Sequence, residues 1–332
     1  MTARAKRARL IYNPSSGREE AKKRLPEILQ RLERGGLETS THATIGEGDA
    51  TLAAADAIER GFDIIIAAGG DGTLYEVING MAEKEFRPQL GILPLGTTND
   101  FARALNIPRS WDAAVDVILA QHSQAIDLGK VNQRYFINIA GGGSMTELTY
   151  EVPSKLKTMI GQLAYYMKGI EKLPRLRPIE LYIQTAEIEL HEEVMLFLIS
   201  NSNSVGGFER LAPDASLSDG LFDVLILRKC NLAEFIRVVT LALRGEHLAD
   251  PNVIYLQTRQ IQVTSPDYVQ INLDGEFGGT LPCVFTNLQQ HLHIFVDETG
   301  QSTYKAPPLN LHLMKLPWKN KAGVDEHEQE EQ

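Results

Sequence analysis

The chain carries only two cysteines, Cys230 and Cys283, in 332 residues. Two thiols so far apart in sequence exclude a disulfide framework and fit a reducing compartment, and each reads as a small buried apolar residue. No apolar run approaches the roughly 20 residues needed to span a bilayer, so any membrane contact is expected to be interfacial. The basic N-terminus (Arg4, Lys6, Arg7, Arg9) reaches Asn13-Pro14 without an apolar core, and no secretory signal is expected. A net charge of −10 excludes nucleic acid as a general partner. The eight histidines form no HxxxH pattern; His291 and His293 lie two apart with no third ligand, and read as surface or core residues. The spacings of a Walker lysine loop and of a GxGxxG dinucleotide turn are both missing. No internal repeat is found.

The length suggests two domains with substantial cores, and 43% hydrophobic with 23% charged residues is ordinary for a globular protein. Up to about residue 125, strands and helices alternate. Strands are expected at 8–12, 37–44, 63–68 and 90–94, and helices at 19–34, 50–60 (Asp49 as N-cap), 74–82, from Phe101, and at 111–121. This order implies a parallel sheet with helices on both faces. After a boundary at 123–130, strand-like runs dominate (124–131, 135–140, 179–185, 188–201, 221–228, 253–264, 268–273, 292–296), with helical segments near 156–173 and 232–244. The expected architecture is therefore α/β: a parallel-sheet domain over 1–125 and a β-rich, sandwich-like domain over 126–296. The proline-broken segment after Val296 is expected to pack back in part on the first domain. Residues 320–332 read as a disordered acidic tail, in which 322–332 holds five acids and no Lys or Arg, half of the net charge.

Gly69-Gly70-Asp71-Gly72-Thr73 lies between a buried β-branched strand and a helix. Such a turn leaves backbone N–H groups, reinforced by the helix dipole, free to meet an anion. Asp71 inside it is unwelcome to an anion alone, and a cation such as Mg²⁺ on a nucleotide reconciles the two. Asn13–Gly17 and Gly96–Asp100 are further turns after strands. All three lie on the carboxyl edge of the sheet, where ligands of open α/β sheets bind; ordinary short βα turns are the plain alternative. Asn272-Leu273-Asp274-Gly275-Glu276 offers two carboxylates at i and i+2. If the strand stays extended both point to one side, as a base for an alcohol would need; a charged hairpin turn is the alternative.

The Gly69–Thr73 motif together with Pro94-Leu95-Gly96-Thr97-Thr98-Asn99-Asp100-Phe101-Ala102 resembles the diacylglycerol kinase catalytic family, in its soluble bacterial form, over nearly the whole chain to about Val296. The glycine motif alone is shared with NAD kinases and phosphofructokinases; the second motif and the β-rich domain favour lipid kinases. The resemblance implies an ATP- and Mg²⁺-dependent kinase that converts diacylglycerol to phosphatidic acid in an interdomain cleft. It implies nucleotide contacts from Asn13, Pro14, Ser15, Ser16, Gly17, Thr44, Gly70, Asp71, Gly72, Thr73, Leu74, Tyr75, Glu76 and Thr97. Glu276 matches the catalytic base, with Asp274 in support of it or of the domain interface. Asp71, Asp100 and Asp127 match a network of aspartates near metal and phosphates. Asp219, with the backbone carbonyls of Ser216 and Leu221, matches a structural Mg²⁺ site; a plain Asp-Gly turn is the alternative.

An enzyme with no spanning segment must reach its lipid at the surface. Residues 153–178 carry six Lys or Arg (Lys155, Lys157, Lys168, Lys172, Arg175, Arg177) against Glu171 alone, and Leu156, Met159, Ile160, Leu163, Met167 and Ile170 recur at helical spacing. This reads as a docking face for an anionic membrane or as an amphipathic helix packed on the second domain. The resemblance singles out Arg18 and Lys168 as lipid-surface contacts, and implies a cytoplasmic homodimer at the inner membrane face. Kinases of a sphingoid base or polyprenol, an NAD kinase, and a catalytically silent nucleotide- or lipid-binding protein are the rival readings.

Overall fold

The first 120 residues lay down β1 (Lys6–Tyr12), α1 (Ser16–Arg34), β2 (Leu37–Ala43), α2 (Asp49–Glu59), β3 (Ile64–Gly69), α3 (Asp71–Met81), β4 (Gln89–Pro94), α4 (Asp100–Ala104) and α5 (Trp111–Ala120). The computed structural model describes residues 4–143, 177–202, 212 and 215–297. The segment near 156–173 with Lys168, the chain beyond residue 297 and the acidic tail lie outside the described residues. All six residues of β3 are buried, as a strand covered by helices on both faces requires. It is central in a parallel array ordered β2-β1-β3-β4. Asp49 is the first residue of α2 rather than its cap. Gly48 (φ 80) caps the helix, and the Asp49 carboxylate turns back to accept the Ile45 N–H at 2.9 Å and to meet His42 Nε2 at 3.0 Å.

The rest of the described chain is β-rich: β5 (Ser123–Val131), β6 (Arg134–Phe136), β7 (Ile139–Gly142), β8 (Ile179–Gln184), β9 (Glu189–Ser200), β10 (Phe222–Arg228), α6 (Leu232–Arg244), β11 (Val253–Thr258), β12 (Gln260–Thr264), β13 (Gln270–Leu273), β14 (Glu276–Thr280) and β15 (Cys283–Phe295). These strands pair antiparallel in the order β14-β13-β7-β9-β8-β12-β15, with β10 and β11 beyond β9. Their core centres on Phe136, Phe197, Phe222 and Phe285, all fully buried. Phe136 stacks on Phe222 at 5.5 Å, and Phe285 meets Phe136 and Phe197 edge-on, each at 6.4 Å.

β5 and β15 form an antiparallel ribbon that serves both cores. Ile126, Leu128, Leu292, Ile294 and Phe295 pack with the parallel sheet, whereas Val131, Cys283 and Phe285 pack with the second. At Ile294↔Leu90 the ribbon joins the parallel sheet. Cys283 is buried and Cys230 half-buried, both free. His291 is half-buried and accepts the Glu83 N–H at 2.9 Å; burial, with Arg87 nearby, pulls its pKa down to about 4. It is a neutral structural acceptor.

Three departures from the sequence expectation have local causes. The run 135–140 breaks into β6 and β7 because the N–H groups of Ile137, Asn138 and Ile139 turn to the Asp274 carboxylate. The run 253–264 breaks at Arg259, where the chain passes from pairing with β10 to pairing with β8 and β15. β15 spans 13 residues rather than five, its apolar pattern interrupted by Asn287, Gln289 and Gln290.

Candidate active site

The parallel sheet reverses its order between β1 and β3: the chain leaves β1 for β2 on one side and β3 for β4 on the other. A crevice forms at the carboxyl ends at such a point, and three loops line it. In the first, Asn13 donates its N–H to Ala68 O at 3.2 Å. Its Oδ1 accepts the Ser15 N–H at 2.9 Å and hydroxyl at 2.7 Å, which shapes the turn into α1. Pro14 stays within this turn, Ser15 caps α1 and Ser16 begins it. In the second, Gly70 is extended and Asp71, Gly72 and Thr73 make the first turn of α3, whose leading N–H groups have no partner within the helix. In the third, Asn99 (φ 52) closes the turn on itself: its Oδ1 accepts the Gly96 N–H at 3.1 Å and its Nδ2 donates to Gly96 O at 2.9 Å.

The loops are packed backbone to backbone. A Cβ on Gly96 would stand 2.4 Å from Gly70 Cα, and one on Gly17 (φ +57) would stand 2.1 Å from Leu95 O. The Asp71 carboxylate ties the second loop to the third, where the N–H groups of Phe101, Asp100 and Asn99 point at it. Burial nevertheless raises its pKa above the usual carboxylate range. Asp100 is pushed up to about 6 by burial and by the charge of Asp71, with Arg103 opposing.

Other matched residues take separate places. Thr44 follows β2 and donates its N–H to Tyr12 O at 2.9 Å. Thr97 is exposed in the third loop, and Thr73 and Leu74 are buried beneath the second. Glu76 Oε2 accepts the Ala50 N–H in the first turn of α2 at 3.0 Å. Tyr75 packs against the second core. Arg18 lies in the first turn of α1.

Asp274 and Glu276 take different partners. Asp274 (φ 51) and Gly275 (φ 101) form the two-residue turn of the β13–β14 hairpin, with Leu273 paired to Glu276. The extended geometry therefore stops at Asp274. Its carboxylate accepts the N–H groups of Ile137, Asn138 and Ile139 at 2.6, 2.9 and 2.9 Å, while burial lifts its pKa to about 6. Glu276 opens β14, and its Oε1 lies 3.9 Å from where a Cβ on Gly72 would be. A carboxylate from the second half of the chain thus stands at the glycine turn of the first.

Asp127 and Asp219 form a second acidic pair. Asp127, buried on β5, accepts the Gly220 N–H at 2.6 Å and the Gln290 N–H at 2.7 Å, and its own N–H donates to Leu217 O at 2.7 Å. Burial raises its pKa, and the charge of Asp219 adds to this. Asp219 Oδ1 accepts the Leu221 N–H at 3.0 Å, and Leu221 O accepts from Asn287 Nδ2 at 3.1 Å. The oxygens this loop offers are those of Asp219 and the carbonyls of Ser216 and Leu221, the last of which keeps a lone pair beside its bond from Asn287. Such an oxygen set suits a hard cation completed by water, and the same holds for Asp71 with Asp100. No group of three or more His, Cys, Asp or Glu side chains is assembled among the described residues, so either site would rely on backbone oxygen and water. The sequence reading missed Asn79, Arg134 and Asn287, polar residues on short or mixed segments whose partners are 56 to 143 residues away.

The model of the diacylglycerol kinase catalytic domain matches residues 7–131, and that of the YegS C-terminal NAD kinase beta sandwich-like domain matches 146–296. A protein of Bacillus subtilis (strain 168) named diacylglycerol kinase is 59% identical over 290 residues, 87% of this chain and 96% of that one. A diacylglycerol kinase of Staphylococcus haemolyticus is 52% identical over 86% of this chain and 87% of its own. A crystal structure of a diacylglycerol kinase from Bacillus anthracis superposes with a TM-score of 0.75 at 26% identity, over 90% of this chain and 99% of that one. With its parallel-sheet half and its β-rich half both matched by these relatives, the chain belongs to the diacylglycerol kinase family.

Proposed function

We propose that the protein transfers the γ-phosphoryl group of ATP to the hydroxyl of diacylglycerol, giving phosphatidic acid, in the cleft between its two halves. The observation that carries this reading is Glu276 Oε1 beside Gly72. A phosphoryl-binding turn and a carboxylate base must face the same small volume for in-line transfer to an alcohol. The N–H groups at the start of α3 hold phosphate oxygens. The first loop, from Asn13 to Gly17, closes the crevice beside them. Glu276 takes the proton of the acceptor hydroxyl as the oxygen attacks. Asp71 is the residue to hold the catalytic Mg²⁺, with Asp100 behind it, and Asp219 with the Ser216 and Leu221 carbonyls the structural one. Bound Mg²⁺ would neutralise charge on the phosphoryl oxygens. Asp127 keeps the 216–221 loop in place through the Gly220 N–H.

The decisive experiment is transfer of labelled γ-phosphate from ATP with Mg²⁺ to dioleoylglycerol in mixed micelles, against sphingosine, undecaprenol and NAD. Labelled phosphatidic acid as the dominant product is expected. Preference for another acceptor overturns the substrate, and no transfer with ATP still bound overturns the enzyme.

No helix among the described residues is long and apolar enough to cross a membrane. The reading therefore includes docking on anionic lipid through Arg18 and Lys168, at about 1 kcal/mol for each cation near the surface, by a homodimer on the cytoplasmic face. Charge reversal of both residues is expected to lower sedimentation with phosphatidylglycerol vesicles at least tenfold and to leave ATP binding unchanged. Undiminished sedimentation eliminates this surface.

A further inference from the structure

α3 touches both halves of the chain. Its first turn is the glycine turn, and one face docks on β6. Asn79, four residues after Tyr75, donates from Nδ2 to Tyr135 O at 3.3 Å and accepts the Tyr135 N–H at Oδ1 at 3.2 Å. Just beyond the helix, Glu83 (φ 51) accepts from the Tyr135 hydroxyl and from Lys130 Nζ. β6 is thereby fixed to the helix by its own backbone. Arg134, the residue before Tyr135, extends the connection. Its guanidinium donates to the carbonyl of Phe277, next to Glu276, and hydrogen-bonds the Tyr75 hydroxyl. Past β6 the chain offers the three N–H groups held by Asp274, at the tip of the same hairpin. The circuit closes where Glu276 meets Gly72.

β14 needs such support. It is the last strand of its sheet, paired only to β13 among the described strands, and two of its five residues are glycine. An edge hairpin of that composition is intrinsically mobile. Displacing a reacting group by about 1 Å costs up to roughly 10²-fold in rate.

We infer that Asn79 and Arg134 are positioning residues: they form a strut from α3 through β6 to β14 that holds Glu276 over the glycine turn. The inference rests on the reading of Glu276 as the base. Arg134 is exposed, so its removal tests the strut with little risk to folding.

The test compares Arg134→Gln and Asn79→Ala with the parent protein in steady-state kinetics and in amide hydrogen exchange. Each variant is expected to lower kcat about tenfold with KM for ATP unchanged within twofold. Exchange at Phe277 and Gly278 should quicken about tenfold, while exchange in β3 stays as it was. The two substitutions together should cost less than their product, because both cut one connection. With Glu276→Gln inactive, a kcat within twofold of the parent in Arg134→Gln overturns the strut, and unchanged exchange at Phe277 in that variant overturns it in any case. Faster exchange in Arg134→Gln alongside full turnover in Glu276→Gln instead retains the strut as a structural device and removes the base reading.

Discussion

Glu276→Gln is expected to lower kcat for diacylglycerol phosphorylation by roughly 10²–10⁴-fold, the usual worth of a positioned general base, with ATP affinity held within twofold. Glutamine keeps the shape and the neighbours of the side chain but cannot take a proton. Glu276 is exposed at the head of β14, so the change should leave stability within about 0.5 kcal/mol, as exposed substitutions usually do. On the proposed reading ATP would meet the backbone of the three loops, none of which includes residue 276, and its binding should persist. Isothermal titration with a nonhydrolysable ATP analogue, beside the transfer assay, separates the two effects. Turnover within tenfold of the parent would sink the assignment of Glu276. Loss of ATP binding as well would mean that the carboxylate acts on the loops and not on the acceptor.

Gly96→Ala is expected to weaken ATP binding at least tenfold and to cost about 1–3 kcal/mol of stability, the usual penalty of overpacking. The new Cβ would stand 2.4 Å from Gly70 Cα, 2.8 Å from Asn99 Oδ1 and 3.1 Å from Gly70 N. Two of these neighbours are backbone and cannot rotate away, so the second and third loops must part. Asn99 would lose its two bonds to residue 96, and the amides directed at Asp71 would shift with it. For a chain of this size the midpoint falls about 2–4 °C for each kcal/mol. Gly46→Ala is the control, since its Cβ would meet nothing within 4 Å. Scanning calorimetry and nucleotide titration read both consequences. An unaltered midpoint with unaltered ATP affinity would show that the loops do not need this close approach.

Elements were legible where their physics is local. A short, β-branched run closed by glycine, such as Ile64–Ala68, reads as a strand covered on both faces, and the apolar spacing of residues 232–244 marks α6, sealed by the Asn231–Glu234 capping box. Glycine loops after strands, read with the parallel order, put Asn13–Gly17, Gly69–Thr73 and Gly96–Asp100 on one edge. Legibility failed where pairing decides the outcome. β14 contains Gly278 and Gly279 and has little strand propensity of its own; it exists because β13 pairs with it. β15 looked like a short strand because its polar middle gives no period, yet β5, β12 and β4 hold it across 13 residues.

The amino-acid order alone pointed to the α/β class and the three loops, because turn chemistry, strand burial and helix periodicity act within a few residues, while the family was visible only as the resemblance of the Gly69–Thr73 and Pro94–Ala102 motifs. Tertiary structure decided what those residues do to one another. Asp71 reaches the amides of the third loop, Glu76 accepts an amide of α2, and Asp274 grips Ile137–Ile139. Each of these carboxylates goes to backbone N–H groups supplied by a distant part of the chain, and burial makes those bonds costly to leave unmade. A sequence displays the carboxylate but not the amides it will meet.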